Sequence, residues 1–160
     1  GVINRKLEGD YVKRIEEFEF LPGAIEALVA FRQLFGRIVI VTNQQGIGKG
    51  LMTREDLNKV HDYLLGELRQ AGGDLDAIYF CPNLASDNAA CRKPNTGMAM
   101  QARAAFPEIN FEKSILVGDS LSDIQMGVRC GMYTVFISEE NKPPEADWLM
   151  ESLIALKAAI

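Results

Sequence analysis

The chain is poor in the features that most often betray a function. It has one histidine, His61, which excludes a site built from several imidazoles. Its three cysteines (Cys81, Cys91 and Cys130) form no evident disulfide framework. Reduced thiols in a cytoplasmic protein are therefore expected. No run of residues is long and apolar enough to span a bilayer, so no membrane partner is expected. No basic-then-apolar leader opens the chain. Basic residues are in the minority, 17 Lys and Arg against 22 Asp and Glu, for a net charge of −5. That balance argues against a protein that holds nucleic acid mainly by electrostatics. A small anionic substrate stays open, because a local pair such as Arg92-Lys93 can overcome the global sign. Repeats and low-complexity linkers are absent as well.

What is present is a 160-residue chain, 48% hydrophobic, of a length that suits one domain spanning 1–160 with a full core. Short apolar runs alternate with helical periodicity. Strands are expected at 38–42, 77–81, 114–118 and 132–137. Helices are expected from Pro22 to about Phe35, at 53–70, 96–105 and 122–130, and near 148–158. Ile25, Leu28, Val29 and Ala30 give the first helix its apolar face. Thr53, with Asp56 three residues on, resembles a capping box. Strands alternating with helices imply an α/β protein with a mainly parallel sheet covered on both faces.

Three of the strands end in polar residues. In open α/β sheets, ligands bind at the carboxyl ends of the strands. Ser114-Ile115-Leu116-Val117-Gly118 delivers Asp119, with Asp123 four positions on. Arg37-Ile38-Val39-Ile40-Val41 delivers Thr42-Asn43-Gln44. Ala77-Ile78-Tyr79-Phe80 leads to the loop carrying Arg92-Lys93-Pro94. Taken singly, these residues have ordinary explanations: a helix cap at Asp119, a solvated acid at Asp123, a basic surface turn at Arg92-Lys93. Together, a hydroxyl, an ammonium and two carboxylates suit a phosphoryl group and a hard divalent cation. The stretch Gly46-Ile47-Gly48-Lys49-Gly50 reads as a flexible turn and lacks the spacing of a phosphate-binding Walker loop. His61 lies mid-helix, far in sequence from every strand end, and reads as a surface or half-buried side chain. Cys130 reads as core. Glu16, Glu17 and Glu19 read as a solvated face.

Val41-Thr42-Asn43-Gln44-Gln45-Gly46-Ile47, Cys91-Arg92-Lys93-Pro94 with Gly97-Met98, and Val117-Gly118-Asp119 with Asp123 occur in that order. In this the chain resembles the haloacid dehalogenase (HAD) superfamily of phosphohydrolases, and within it the heptose-bisphosphate and histidinol-phosphate phosphatases. The resemblance covers nearly the whole chain. It implies a three-layer, Rossmann-like fold and hydrolysis of a small phosphorylated metabolite by a monomer through an aspartyl-phosphate, assisted by Mg²⁺. Thr42 and Lys93 would hold the phosphoryl group, and Asp119 the metal. Asp123 would support the metal or orient Lys93, and Asn43, Gln44 and Arg92 would contact substrate.

Two departures from the family pattern matter. Gly1 matches the glycine of the first motif, Asp-x-Asp-Gly. The nucleophile, the acid and the central strand that carries them are therefore expected upstream of Gly1, and the chain as given is expected to be inert. Strands 38–42 and 114–118 should then not pair directly. A zinc loop found in relatives here reads Cys81-Pro82-Asn83 and Ala89-Ala90-Cys91, so zinc is expected to be absent. The intervals between the motifs leave no room for an inserted cap domain. Selectivity is then expected from the short loops 4–20, 44–52 and 82–92. Among substrates, a heptose 1,7-bisphosphate hydrolysed at its 7-phosphate comes first. Histidinol phosphate and a polynucleotide 3′-phosphate follow. A phosphate-binding module without a nucleophile is the alternative to an enzyme.

Overall fold

The computed structural model describes residues 1–160. Its elements run α1 (Ala24–Leu34), β1 (Val39–Asn43), α2 (Gln45–Gly48), α3 (Arg54–Gln70), β2 (Ala77–Cys81), α4 (Gly97–Ala105), β3 (Ile115–Gly118), α5 (Leu121–Cys130), β4 (Tyr133–Ile137), β5 (Trp148–Met150) and α6 (Leu153–Ala159). Every strand pair is parallel. β1 lies beside β2, with Val39 opposite Ala77 and Asn43 opposite Cys81. β4 lies between β3 and β5. The two groups form separate ladders, β1-β2 and β3-β4-β5.

The strands present alternate residues to two apolar layers. Val135 and Ile137 of β4 join the core formed with Ala24, Ala27, Leu28 and Phe31 of α1, Leu64 and Leu68 of α3, and Leu153 and Leu156 of α6. Phe136, between them, packs on the opposite side with Leu116 of β3, Ala99 of α4, and Ile124 and Met126 of α5. The period of two in β4 thus separates the helices into two layers, the α/β arrangement expected from the sequence. No domain is inserted between Gly1 and Thr42, or between Thr42 and Lys93.

Local chemistry sets the helix ends. Thr53 Oγ1 accepts the amide of Asp56 at 3.0 Å, and Asp56 Oδ2 accepts the amide of Thr53 at 2.9 Å, so the capping box of α3 is complete. α1 starts at Ala24, later than Pro22. Gly23 takes φ +77° at its N-cap, and a Cβ there would lie 2.7 Å from Ile154 Cβ. Gly23 therefore supplies both the turn and the close approach of α1 to α6.

Two expectations fail. The segment 148–158 is not one helix: Trp148–Met150 extends β4's sheet, and a fresh helix begins when Ser152 caps Ala155 at 3.1 Å. Residues 45–48 form a short helix where a flexible turn is expected, because Gly46 is packed against the Tyr11 ring and Met52.

Candidate active site

Lys93 is held from two elements distant in sequence. Its Nζ lies 2.5 Å from Asp123 Oδ1 on α5 and 3.1 Å from the Val41 carbonyl on β1. The side chains of the pair are only 12% and 10% exposed. A buried ion pair endures only when its remaining polar atoms are satisfied. Asp123 Oδ2 meets that need, accepting the amides of Asp119 and Ser120, each at 3.2 Å. Asp123 also completes a capping box with Ser120, which is the N-cap of α5 in place of Asp119. Both carboxylate oxygens of Asp123 are thus engaged, and its geometry is that of a residue orienting Lys93. Gly118 makes this possible, because a side chain there would overlap Asp123. Lys93 spends two of its three donors on these contacts and keeps one for a ligand.

Asn43, expected to contact substrate, is bonded here to the backbone of Lys93. Its Oδ1 accepts the Lys93 amide at 3.0 Å and its Nδ2 donates to the Lys93 carbonyl at 3.4 Å. The amide expected to touch substrate instead clamps the backbone of Lys93. Gln44 likewise turns inward. Its Nε2 donates to Thr42 Oγ1 at 3.1 Å, while its own amide donates to the Cys81 carbonyl at 2.7 Å. This arrangement fixes the Thr42 oxygen, whose own hydroxyl donates a long bond to the Asn43 carbonyl at 3.5 Å. Arg92 is half-buried, and its Nη1 is enclosed without a hydrogen-bond partner. An enclosed, unpaired guanidinium nitrogen is costly unless an anion completes it.

Asp119 stands at the end of β3, its side chain 32% exposed. A partly exposed carboxylate at a strand end could hold Mg²⁺, which takes one or two carboxylates and fills its shell with water and phosphate oxygens. No three His, Cys, Asp or Glu side chains gather elsewhere into a ligand set.

Other residues at the site were not singled out from the sequence. Tyr11 reaches in from the loop after Gly1, where Gln45 Nε2 donates to its hydroxyl at 3.2 Å. Gln45 Oε1 accepts the Ala85 amide at 2.6 Å. The Lys49 ammonium lies 5.4 Å from the centre of the Tyr11 ring. Hydrogen bonding to Lys49, then to Gln45, with the charge of Arg92 adding to it, holds the Tyr11 phenol below its usual range. The three loops expected to confer selectivity therefore do meet, but through residues that only packing identifies. Arg129, at the end of α5, donates to the Pro94 carbonyl at 3.2 Å and supports the turn after Lys93.

The cysteines differ most from expectation. Cys81 and Cys91 are joined in a disulfide, not left as two thiols, and Asn83 Oδ1 lies 3.8 and 3.6 Å from the two sulfurs. Cys130 is free and half-buried, short of a true core position, and burial pushes its thiol up. His61 is half-buried in α3, near Phe80, and burial holds its imidazole below the usual value, with Asp62 opposing.

Comparison with known proteins identifies the family. The sequence model of a family described as HAD-hydrolase-like matches residues 90–152. The chain is 43% identical, over 79% of its length, to D-glycero-alpha-D-manno-heptose-1,7-bisphosphate 7-phosphatase of Mycobacterium tuberculosis, and spans 66% of that relative. It is 33% identical to D-glycero-beta-D-manno-heptose-1,7-bisphosphate 7-phosphatase of Yersinia pestis over all of this chain and 90% of the relative. The solved D,D-heptose 1,7-bisphosphate phosphatase of B. bronchiseptica, complexed with magnesium and phosphate, superposes with a TM-score of 0.89 at 30% identity, over 99% of this chain and 92% of that one. With the strand-end placement of Thr42, Lys93 and Asp119, these likenesses show that the chain belongs to the HAD-like hydrolases, in the family of heptose-1,7-bisphosphate 7-phosphatases.

Proposed function

We propose that the domain formed by residues 1–160 serves a Mg²⁺-dependent phosphomonoesterase that removes the 7-phosphate of a D-glycero-D-manno-heptose 1,7-bisphosphate. The reading includes a monomer acting in the cytoplasm on a small metabolite, and no helix is long and apolar enough to cross a membrane. The observation that carries it is the Lys93 ammonium pinned between Asp123 and Val41. A cation fixed in this way needs no rearrangement to meet charge building on a transferring phosphoryl group.

In this mechanism Thr42 donates its hydroxyl to one phosphoryl oxygen, and Lys93 gives its remaining N–H to another. Asp119 holds Mg²⁺, which offsets the repulsion between an anionic nucleophile and the phosphate. In the chemistry the resemblance implies, a carboxylate attacks phosphorus while the bond to the sugar oxygen breaks. A second carboxyl group protonates that oxygen, and water then releases phosphate. No residue of 1–160 is assigned the attacking or the protonating role. Arg92, half-buried in the loop before Lys93, takes the second phosphate. The test is phosphate release from heptose 1,7-bisphosphate, histidinol phosphate and a 3′-phosphorylated oligonucleotide, each with Mg²⁺. The bisphosphate should have the highest kcat/KM. A preference for either of the others would overturn the reading.

A further inference from the structure

Arg92 and Lys93 are adjacent, yet different parts of the molecule hold them. Lys93 is tied to β1 through Asn43 and Val41, and to α5 through Asp123. Arg92 has no such ties. Its amide donates to Ala89 at 2.9 Å, within the same loop, and its carbonyl accepts from Asn95 at 2.8 Å. Its carbonyl side shares the peptide that Asn43 clamps, whereas its amide side follows the loop 82–91.

That loop is a closed ring. Cys81 is the last residue of β2 and fully buried, and Cys91 immediately precedes Arg92. The bond between them holds their Cα atoms 5.4 Å apart. Noncovalent contacts hold the two halves of the ring separately. Ala85 bonds to Gln45 of α2, whereas Ala89 and Ala90 accept from Asn95 Nδ2 and the Gly97 amide, each at 2.9 Å. The half leading into Arg92 is therefore tied to β2 chiefly through the disulfide.

We propose that the Cys81–Cys91 disulfide is a positioning element that seats Arg92 for the substrate's second phosphate, making substrate affinity redox-dependent while the chemistry at Lys93 is not. This rests on the reading of Arg92 as the second-phosphate ligand. Opening the bond with a dithiol reductant transfers two electrons and two protons. Cys81 and Cys91 become thiols, and the reductant closes into its own disulfide. The chain from β2 to Arg92 then loses its covalent closure and regains conformational freedom. The guanidinium must be ordered again each time substrate binds.

The test uses the active enzyme with and without dithiothreitol. Alkylation and peptide mapping should find, among the cysteines of residues 1–160, one free thiol before reduction, Cys130, and three after. Reduction should raise KM for the bisphosphate roughly five- to tenfold, about the loss of one well-placed charged hydrogen bond, with kcat within twofold. Reoxidation should restore KM. The double variant Cys81→Ser, Cys91→Ser should show the reduced enzyme's KM and ignore dithiothreitol. Arg92→Ala should have one KM in both redox states, which a purely structural disulfide would not produce. Three thiols in the unreduced protein, one zinc per chain on Cys81 and Cys91, or equal KM in both states would each overturn the proposal. The thiol count needs no substrate, so it stands apart from the heptose reading. An ester with a single phosphate should show the same KM in both redox states, because it lacks the group Arg92 takes. A redox change in that KM would overturn the proposal.

Discussion

The floor of the site, around Lys93, and its rim, around Arg92 and Tyr11, solve different problems. On the floor every polar atom of Asp123 is used, both partners are nearly buried, and Asn43 locks the backbone. The rim is half open. Arg92 has an unpaired nitrogen, Lys49 is exposed, and Tyr11 is held by Gln45 from a different loop. A saturated, rigid floor suits the transition state, whose charge must be met without reorganisation. An unsaturated rim suits the remote part of a substrate, whose binding completes it. Floor substitutions should thus appear in kcat, and rim substitutions in KM.

The largest effect is expected from Lys93→Ala. It removes the ammonium proposed to hold the phosphoryl group and leaves Asp123 a buried carboxylate without its cation. The turnover number should fall by about a hundred- to a thousandfold. Steady-state kinetics beside a thermal melt would check this, and near-normal kcat would erase the distinction between floor and rim. Asn43→Ala should come next. It keeps all the ionic chemistry but frees the Lys93 backbone, so kcat should drop roughly tenfold with KM little changed. If KM rises instead, Asn43 is a substrate contact and belongs to the rim. Arg92→Ala should raise KM for the bisphosphate about tenfold or more and leave kcat near that of the parent. It should have little effect on a substrate with a single phosphate.

The smallest effect concerns pH. The Tyr11 phenol, stabilised as its anion by Lys49 and Gln45, loses its proton at lower pH than an ordinary tyrosine. The new negative charge would repel the second phosphate. KM should therefore climb with rising pH before an ordinary phenol would ionise, and Tyr11→Phe should flatten that limb. A KM profile in the variant that matches the parent would place Tyr11 outside the rim.

The floor was far more legible in the sequence than the rim. Apolar runs ending in Thr42 and Gly118 fixed the strand ends, and the strand at 77–81 is found with those same limits. The pairing of Lys93 with Asp123 could be anticipated from the motifs. The turn of Asn43 toward Lys93 could not, since a side-chain amide after a strand serves a ligand or a backbone equally well. Tyr11 and Gln45 meet across 34 positions through ring packing on Gly46, which leaves no periodic trace. The disulfide was hidden for a similar reason, because a ten-residue spacing says nothing about the distance between two Cα atoms. Trp148-Leu149-Met150 is too short an apolar run for its period to separate strand from helix, so β5 merged with α6 in the sequence reading.

The account as a whole turns on which phosphate leaves. Phosphorus NMR of heptose 1,7-bisphosphate incubated with the active enzyme and Mg²⁺ distinguishes the two esters directly. The 7-phosphate signal should give way to inorganic phosphate while the anomeric phosphate persists. Loss of the anomeric phosphate, or survival of both beside rapid hydrolysis of histidinol phosphate, would contradict the 7-phosphatase reading.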